Sequence, residues 1–546
     1  MTYQRRTMLA AAAILSGAVC VLGQNAPDDP VTFKTRSELV TVPVVVTDKN
    51  GVHLHNLKKE DFRLLEDGKS QKIASFEEIQ RPPTPVVAPQ SNGHFSNTVA
   101  NSAGPLSLTI VLLDLVNTTL EDQASACNAL FKYLANPVAG AQPTIILVLT
   151  RNGLRVVHDF TTDTKSLSTA LGKAPRERQL VEPADQEAIL AGASLMDQVI
   201  ARELEMLREG EQRLEAQERL TAIRITLNAM LQIARSCAGL PGRKALLWVS
   251  DGFPFLVTAP GKEVDYPSYT DVAHPYQNMW KALNDAQVAI YPVDIRGMTN
   301  PDLADVSMRM PRPGYYSDVE RLDSETLASF RTFAQATGGR AFYRTNDFSG
   351  AFLKANDDNS DYYLLSYYLE NTDKKKPGWH RLSVKVQRTG AEVRARSGFF
   401  LIPGNPDDGS DAEVNLALRS PLNYTGVSLS GQWEKIEAAM QPGKKKAVFL
   451  LTMPANFAEV DENDHNHIKL EFAAVAVGPT GETVAETRKT MDGHPEAESL
   501  AQIRNHGVDY RGDLILPPGD YTIRFAVRDR LSGHIGSVST TLKVAP

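Results

Sequence analysis

Two short apolar runs, each ending in an aspartate, constrain this chain more than anything else in it. Residues 108–113 (LTIVLL) run into Asp114-Leu-Val-Asn-Thr118, and residues 244–249 (KALLWV) run into Ser250-Asp251-Gly-Phe-Pro254. Apolar runs without polar alternation describe strands covered on both faces, the condition of a parallel sheet between helical layers. Ligands on open α/β sheets bind beyond the carboxyl ends of such strands, so the two aspartates are placed to face each other there.

The surrounding sequence continues in alternation. A helical spacing at 124–134 is followed by strand-like runs at 144–149 and 154–160 across the Arg151-Asn152-Gly153 turn. Then come a helix at 279–285, a strand at 288–293 ending in Asp294, and helices at 327–336 and 348–355. This order predicts an α/β domain over 106–403, built on a doubly wound, mostly parallel sheet. Asp294 reads as a loop anchor. Residues 184–238 are proline-free and rich in Ala, Glu, Leu, Arg and Gln, which predicts a helical insertion. Within it, 203–219 is so charged that it reads as a projecting hairpin or an extended helix with a solvated face; a coiled-coil partner helix is the alternative.

The sequence Asp114-Leu115-Val116-Asn117-Thr118 after one strand, with Asp251 after a later one, resembles the von Willebrand factor type A family. Within it the likeness is to the related domain of secreted acidobacterial proteins. Residues 57–68 (LKKEDFRLLEDG), Ala336-Thr-Gly-Gly339 with Phe342, and residues 362–368 (YYLLSYY) carry the same resemblance. It implies a Rossmann-like A domain with a metal-ion-dependent adhesion site. That site takes Asp-x-Ser-x-Ser after the first strand, a loop Thr from a later connection, and an Asp after the fourth strand. Asp114, Thr118 and Asp251 stand at matching positions. Val116 replaces a Ser, and 171–179 contains no Gly-Thr, so the implied site is degenerate. Two carboxylates, a hydroxyl and waters suit Mg²⁺ or another hard divalent cation. In the family an acidic group of a protein partner completes the shell, so the implied function is protein binding of the adhesion type. The competing reading makes Asp114 and Asp251 caps of helix N-termini and loops, with Thr118 and Thr119 introducing a helix.

The flanks read as β. Residues 31–80 predict a small N-terminal β unit with a turn at Asp48-Lys-Asn-Gly51, and 81–105 a linker rich in Pro, Ser, Asn and Gly. A second linker at 404–420 precedes strand-like runs over 421–546. Their spacing predicts an immunoglobulin-like β-sandwich without the Cys and Trp hallmarks.

Arg5 and Arg6 followed by an apolar stretch at 8–22 predict a secretory signal peptide over 1–23, and hence a secreted, periplasmic or surface location. Cys20 as a lipoprotein cysteine is disfavoured by Val19 before it. No later stretch is long and apolar enough for a transmembrane helix. A net charge of −7 over 546 residues, with no basic stripe, argues against nucleic acid as a partner. Cys127 and Cys237 remain after cleavage, either bridged or as buried thiols.

Catalytic motifs are absent: there is no Gly-x-Ser-x-Gly, no His-Glu-x-x-His and no phosphate-cradling loop of the form Gly-x-x-x-x-Gly-Lys-Ser/Thr. Asp461, Glu462, Asp464, His465 and His467 form an acidic, His-rich cluster that reads as a metal site or a polar inter-strand loop. Arg511-Gly512-Asp513 reads as a turn before a strand. The expected function is therefore non-enzymatic protein binding at a degenerate adhesion site. The alternatives are a structural or assembly protein of the cell envelope and a secreted hydrolase whose active groups carry no motif.

Overall fold

The structure is a computed structural model that describes residues 38–80, 93–98, 106–136, 142–177, 198–253, 270–297, 315–369, 376–402, 410–455 and 457–546. The signal peptide read at 1–23, most of the linker at 81–105, residues 404–409 of the second linker and residues 184–197 of the helical insertion lie outside them.

Strands β1 (Glu38–Thr47), β2 (Phe62–Glu66), β3 (Lys69–Gln71), β4 (Ser75–Gln80) and β5 (His94–Ser96) come first. The central stretch gives β6 (Leu108–Asp114), α1 (Leu120–Leu134), β7 (Thr144–Thr150), β8 (Gly153–Thr161), α2 (Thr164–Leu171) and α3 (Gln198–Cys237). It continues with β9 (Lys244–Ser250), α4 (Thr270–Asp285), β10 (Val288–Asp294), α5 (Tyr315–Thr337) and α6 (Phe348–Ser360). Then follow β11 (Asp361–Leu369), β12 (Gly378–Val386), β13 (Glu392–Ala395), β14 (Gly398–Leu401) and α7 (Ser410–Arg419). The last elements are β15 (Ser430–Ala438), β16 (Lys445–Met453), β17 (Ile468–Val477), β18 (Thr483–Gly493), α8 (Ala497–His506), β19 (Val508–Leu516), β20 (Gly519–Asp529) and β21 (Ile535–Val544).

The apolar runs do form strands. β6, β7, β9 and β10 are buried at all seven positions. They pair in parallel in the order β10-β9-β6-β7, and β8 closes the edge as an antiparallel hairpin on β7. This is one mixed sheet of five strands. The other four sheets among the described residues, each of four strands, are antiparallel throughout, and strand residues outnumber helical ones. The described residues are mainly β. The expected α/β class, with a doubly wound, mostly parallel, Rossmann-like core of von Willebrand factor A type, is corrected accordingly.

The reason is the range of the pairing. The parallel runs announce themselves locally, whereas flanking strands such as β1 and β2 find partners roughly three hundred residues away. β1 pairs with β11 (Val42 opposite Leu365) and β2 with β12 (Leu64 opposite Val384). The sheets β13-β1-β11-β4 and β14-β12-β2-β3 thus form one sandwich from residues on either side of the mixed sheet, closed over Val42, Val44, Leu64 and Leu365. Residues 38–80 supply β1 to β4 of that sandwich, so the described part of the expected N-terminal β unit is not a separate unit. The immunoglobulin-like expectation is corrected for the same reason. The C-terminal sheets are β19-β16-β15-β5 and β18-β17-β20-β21, and β5 arrives from inside the expected linker. Part of the second linker is helix α7, whose Val414, Ala417 and Leu418 pack on β17, β20 and β21.

Alternate residues of β6 feed two cores. Ile110 and Leu112 meet α3, α4 and α5 through Met230, Trp280 and Phe333, while Val111 and Leu113 meet α1, α2 and α6 through Leu130, Leu167 and Phe352. Cys237 belongs to the first core and Cys127 packs against the second, so the two thiols stand free on opposite faces of the sheet. Among the described residues, no helix is long and apolar enough to cross a membrane.

Candidate functional site

β6 and β9 are neighbours, so their carboxyl ends bring Asp114, Thr118 and Asp251 together. Asp114 is fully buried and fully engaged. Its Oδ1 accepts the backbone N–H groups of Val116 (3.2 Å) and Asn117 (3.1 Å). Its Oδ2 accepts Asn117 Nδ2 (2.8 Å), Trp248 Nε1 (3.0 Å) and Ser250 Oγ (3.4 Å). Burial pushes this carboxyl up to about 6, although Asn117 and Trp248 pull the other way. Asn117 Nδ2 also reaches Thr226 Oγ1 of α3 (3.1 Å), which ties the loop to that helix.

Thr118 is buried, and its Oγ1 accepts the backbone N–H of Asp251 (3.3 Å). Thr119 caps α1. Its Oγ1 accepts Asp122 N–H (3.2 Å) and donates to Asp122 Oδ2 (2.8 Å), while its own N–H donates to Asp251 Oδ2 (2.8 Å). Asp251 Oδ1 is different: it is buried and has no hydrogen-bond donor. Burial, and after it the neighbouring Asp122, push the Asp251 carboxyl up to about 8 against the pull of the Thr119 N–H and of the Arg296 charge. A buried carboxylate beside a second acid, with one oxygen that receives no donor, holds a bare charge only at high cost. A proton or a cation on Asp251 relieves it.

The three expected ligands therefore converge, but unequally. Asp114 has spent its oxygens on loop hydrogen bonds, Thr118 is engaged, and Asp251 alone keeps an oxygen open. The carboxylate facing it, Asp122, was missed from sequence, where it reads as an acid in the first turn of a helix. The only available signal was the Thr119-x-x-Asp122 capping pattern. Asp294 is indeed a loop anchor, held by Arg296 at 2.9 and 2.8 Å.

Other candidates resolve quickly. Glu66, Asp67 and His380 lie close enough to share an ion. There His380 Nδ1 stands 2.8 Å from Asp67 Oδ2, a direct hydrogen-bond distance, and its Nε2 stands 2.9 Å from the Lys376 carbonyl. Arg511-Gly512-Asp513 is no turn. It lies inside β19, paired with β16, with Arg511 forked onto Glu434 at 2.8 and 2.7 Å.

No protein-family model and no curated protein matches the chain. Solved structures show slight likeness. Proximal thread matrix protein 1 from the mussel byssus is 10% identical, over 47% of this chain and 48% of that one, with a TM-score of 0.23. A glycosyl hydrolase family 2 member from Bacteroides cellulosilyticus is 9% identical, over 34% of this chain and 20% of that one, at 0.15. The human COPII-coat protein Sec24c is 11% identical, over 61% and 50%, at 0.22. The chain spans about half of the byssus protein and a fifth of the hydrolase. Likeness at this level assigns no function.

Proposed function

We propose that the chain is a non-enzymatic protein-binding protein that works outside the cytoplasm, and that the loops beyond β6 and β9 are its recognition surface. A hard divalent cation such as Mg²⁺, held by Asp251 and Asp122 with water, presents itself to an acidic group of the partner. The observation that carries this reading is the buried, donorless Oδ1 of Asp251 beside Asp122. The motif-level resemblance of Asp114, Thr118 and Asp251 to an adhesion site supports it, with Asp114 shaping the loop rather than touching the ion. Outside location rests on the signal-like N-terminal sequence.

The test is calorimetric titration of Mg²⁺ and Mn²⁺ into the full mature chain at pH 7.5, beside Asp251→Asn and Asp122→Asn. Saturable binding lost in both variants is expected. Absence of heat in the parent chain would leave a shared proton between the carboxylates and favour the envelope-structural reading, to which the saturated bonding of Asp114 already lends weight.

A further inference from the structure

The acidic, His-rich stretch at 461–467 acquires a member that sequence distance concealed. β17 and β18 are antiparallel neighbours with Ile468 opposite Gly493, so the residues one step beyond, His467 and His494, emerge side by side. Their rings stack with centroids 4.8 Å apart. Asp464 is delivered to them by a single 3₁₀ turn (Glu462–Asp464), after which His465 and Asn466 take positive φ and turn the chain back into β17. The turn is pinned by His467 N–H on the Asp464 carbonyl (2.9 Å) and by the paired bridge between Asp461 and His467.

The side chains meet around the Asp464 carboxylate. His467 Nδ1 lies 3.4 Å from Asp464 Oδ2, and His494 Nε2 lies 3.6 Å from Oδ1. His465 Nδ1 stands 3.9 Å from the same Oδ1. Ligands about 2.0–2.1 Å from a tetrahedral ion are separated from each other by roughly 3.3 Å, close to these spacings. The far side of His467 is also prepared. Its Nε2 is 2.8 Å from Asp492 Oδ1, and Asp492 is itself approached by Lys469 Nζ at 3.6 Å. A carboxylate on the outer nitrogen of a histidine fixes the ring and leaves the inner nitrogen to face an ion.

We propose that Asp464, His467 and His494 bind a borderline divalent transition-metal ion of the Zn²⁺ type, with Asp492 as a positioning residue and water or His465 in the fourth place. Imidazole and carboxylate together select such ions over Mg²⁺ or Ca²⁺. The site is independent of the carboxylates beyond β6 and β9, and does not rest on the function proposed for them.

The experiment uses the tag-free full chain, stripped with chelator and titrated with ZnCl₂ by calorimetry, with Co²⁺ visible absorption as a second readout of imidazole ligation. All variants are made in the Asp251→Asn background, which removes the carboxylate pair beyond β9 as a competing cation site, and one equivalent of saturable binding is expected there. His467→Ala and His494→Gln each weaken it a hundredfold or more, and Asp492→Asn by roughly ten- to a hundredfold. His494 is about half exposed, so its replacement leaves the fold to be verified by an unchanged melting curve. Absence of saturable Zn²⁺ binding, or binding that survives in the His467→Ala/His494→Gln double variant, overturns the proposal.

Discussion

Asp251 carries its charge with difficulty, and that makes it measurable. The carboxyl titrates near 3.8 when unfolded and about 8 in the folded chain, because burial and Asp122 disfavour the charged form. Between those values the folded state holds the proton and the unfolded state has lost it. Stability is therefore fully present below about pH 4 and is lost as pH rises toward 8. Asp251→Asn should remove this slope. Its amide oxygen can keep the Thr119 N–H, and its NH₂ gives Asp122 the donor that the protonated acid supplies. In denaturant melts without divalent ions, the variant is expected to exceed the parent by about 1–3 kcal/mol at pH 8.5, with the gap closing toward pH 5. Parallel profiles would show that the two carboxyls do not share a proton. Half of this pair was legible in the sequence. Asp114 and Asp251 end apolar runs, a local signal, whereas Asp122 joins Asp251 only because β6 and β9 are adjacent in the sheet.

At the scale of elements, α3 shows how far periodicity can be trusted. Its 40 residues divide in character. Ala222, Ile223, Leu227, Met230, Ile233, Ala234 and Cys237 recur at three- and four-residue intervals and are all buried, whereas Leu214 is 61% exposed in the charged half. Met230→Ala should cost about 2–5 kcal/mol, the usual price of a cavity between helix and sheet, while Leu214→Ala should stay within about 0.5 kcal/mol. Equilibrium unfolding of the two variants checks the contrast, and equal losses would mean that the charged half is packed against something. The parallel strands were legible for the same reason as this face: their neighbours lie close in sequence or their burial is complete. β19 was not, because Arg511-Gly512-Asp513 has turn composition. Gly512 is there because a side chain would strike the Phe449 ring, not because the chain turns.

For the molecule as a whole, the decisive contacts join segments that sequence order separates, and β5 is the clearest of them. It supplies the edge strand of a sheet whose other members begin at Ser430. Phe95 inserts into the C-terminal core, stacked on Phe525 at 5.0 Å and against Trp433 at 6.0 Å. Asn97 then stitches the junction: its Nδ2 donates to the carbonyls of Tyr424 (2.7 Å) and Val427 (2.8 Å), and its Oδ1 accepts Leu429 N–H (2.8 Å). From the other side, Arg235 of α3 pairs with Glu413 of α7 at 2.7 Å, and Thr425 Oγ1 donates to the Ser236 carbonyl at 2.8 Å. The C-terminal sandwich is thus completed by residues that precede the mixed sheet and braced by a helix that lies on it. A Pro, Ser and Asn-rich composition gave no hint of this, since three residues of strand carry no periodicity. Phe95→Ala should destabilise the C-terminal sandwich by about 3–5 kcal/mol. In hydrogen exchange the loss should appear in β15, β16 and β20 while β6 and β9 keep their protection. Uniform loss across both regions would mean that the sandwich and the mixed sheet unfold as one unit, and unchanged protection of β15 would remove β5 from the core it is placed in.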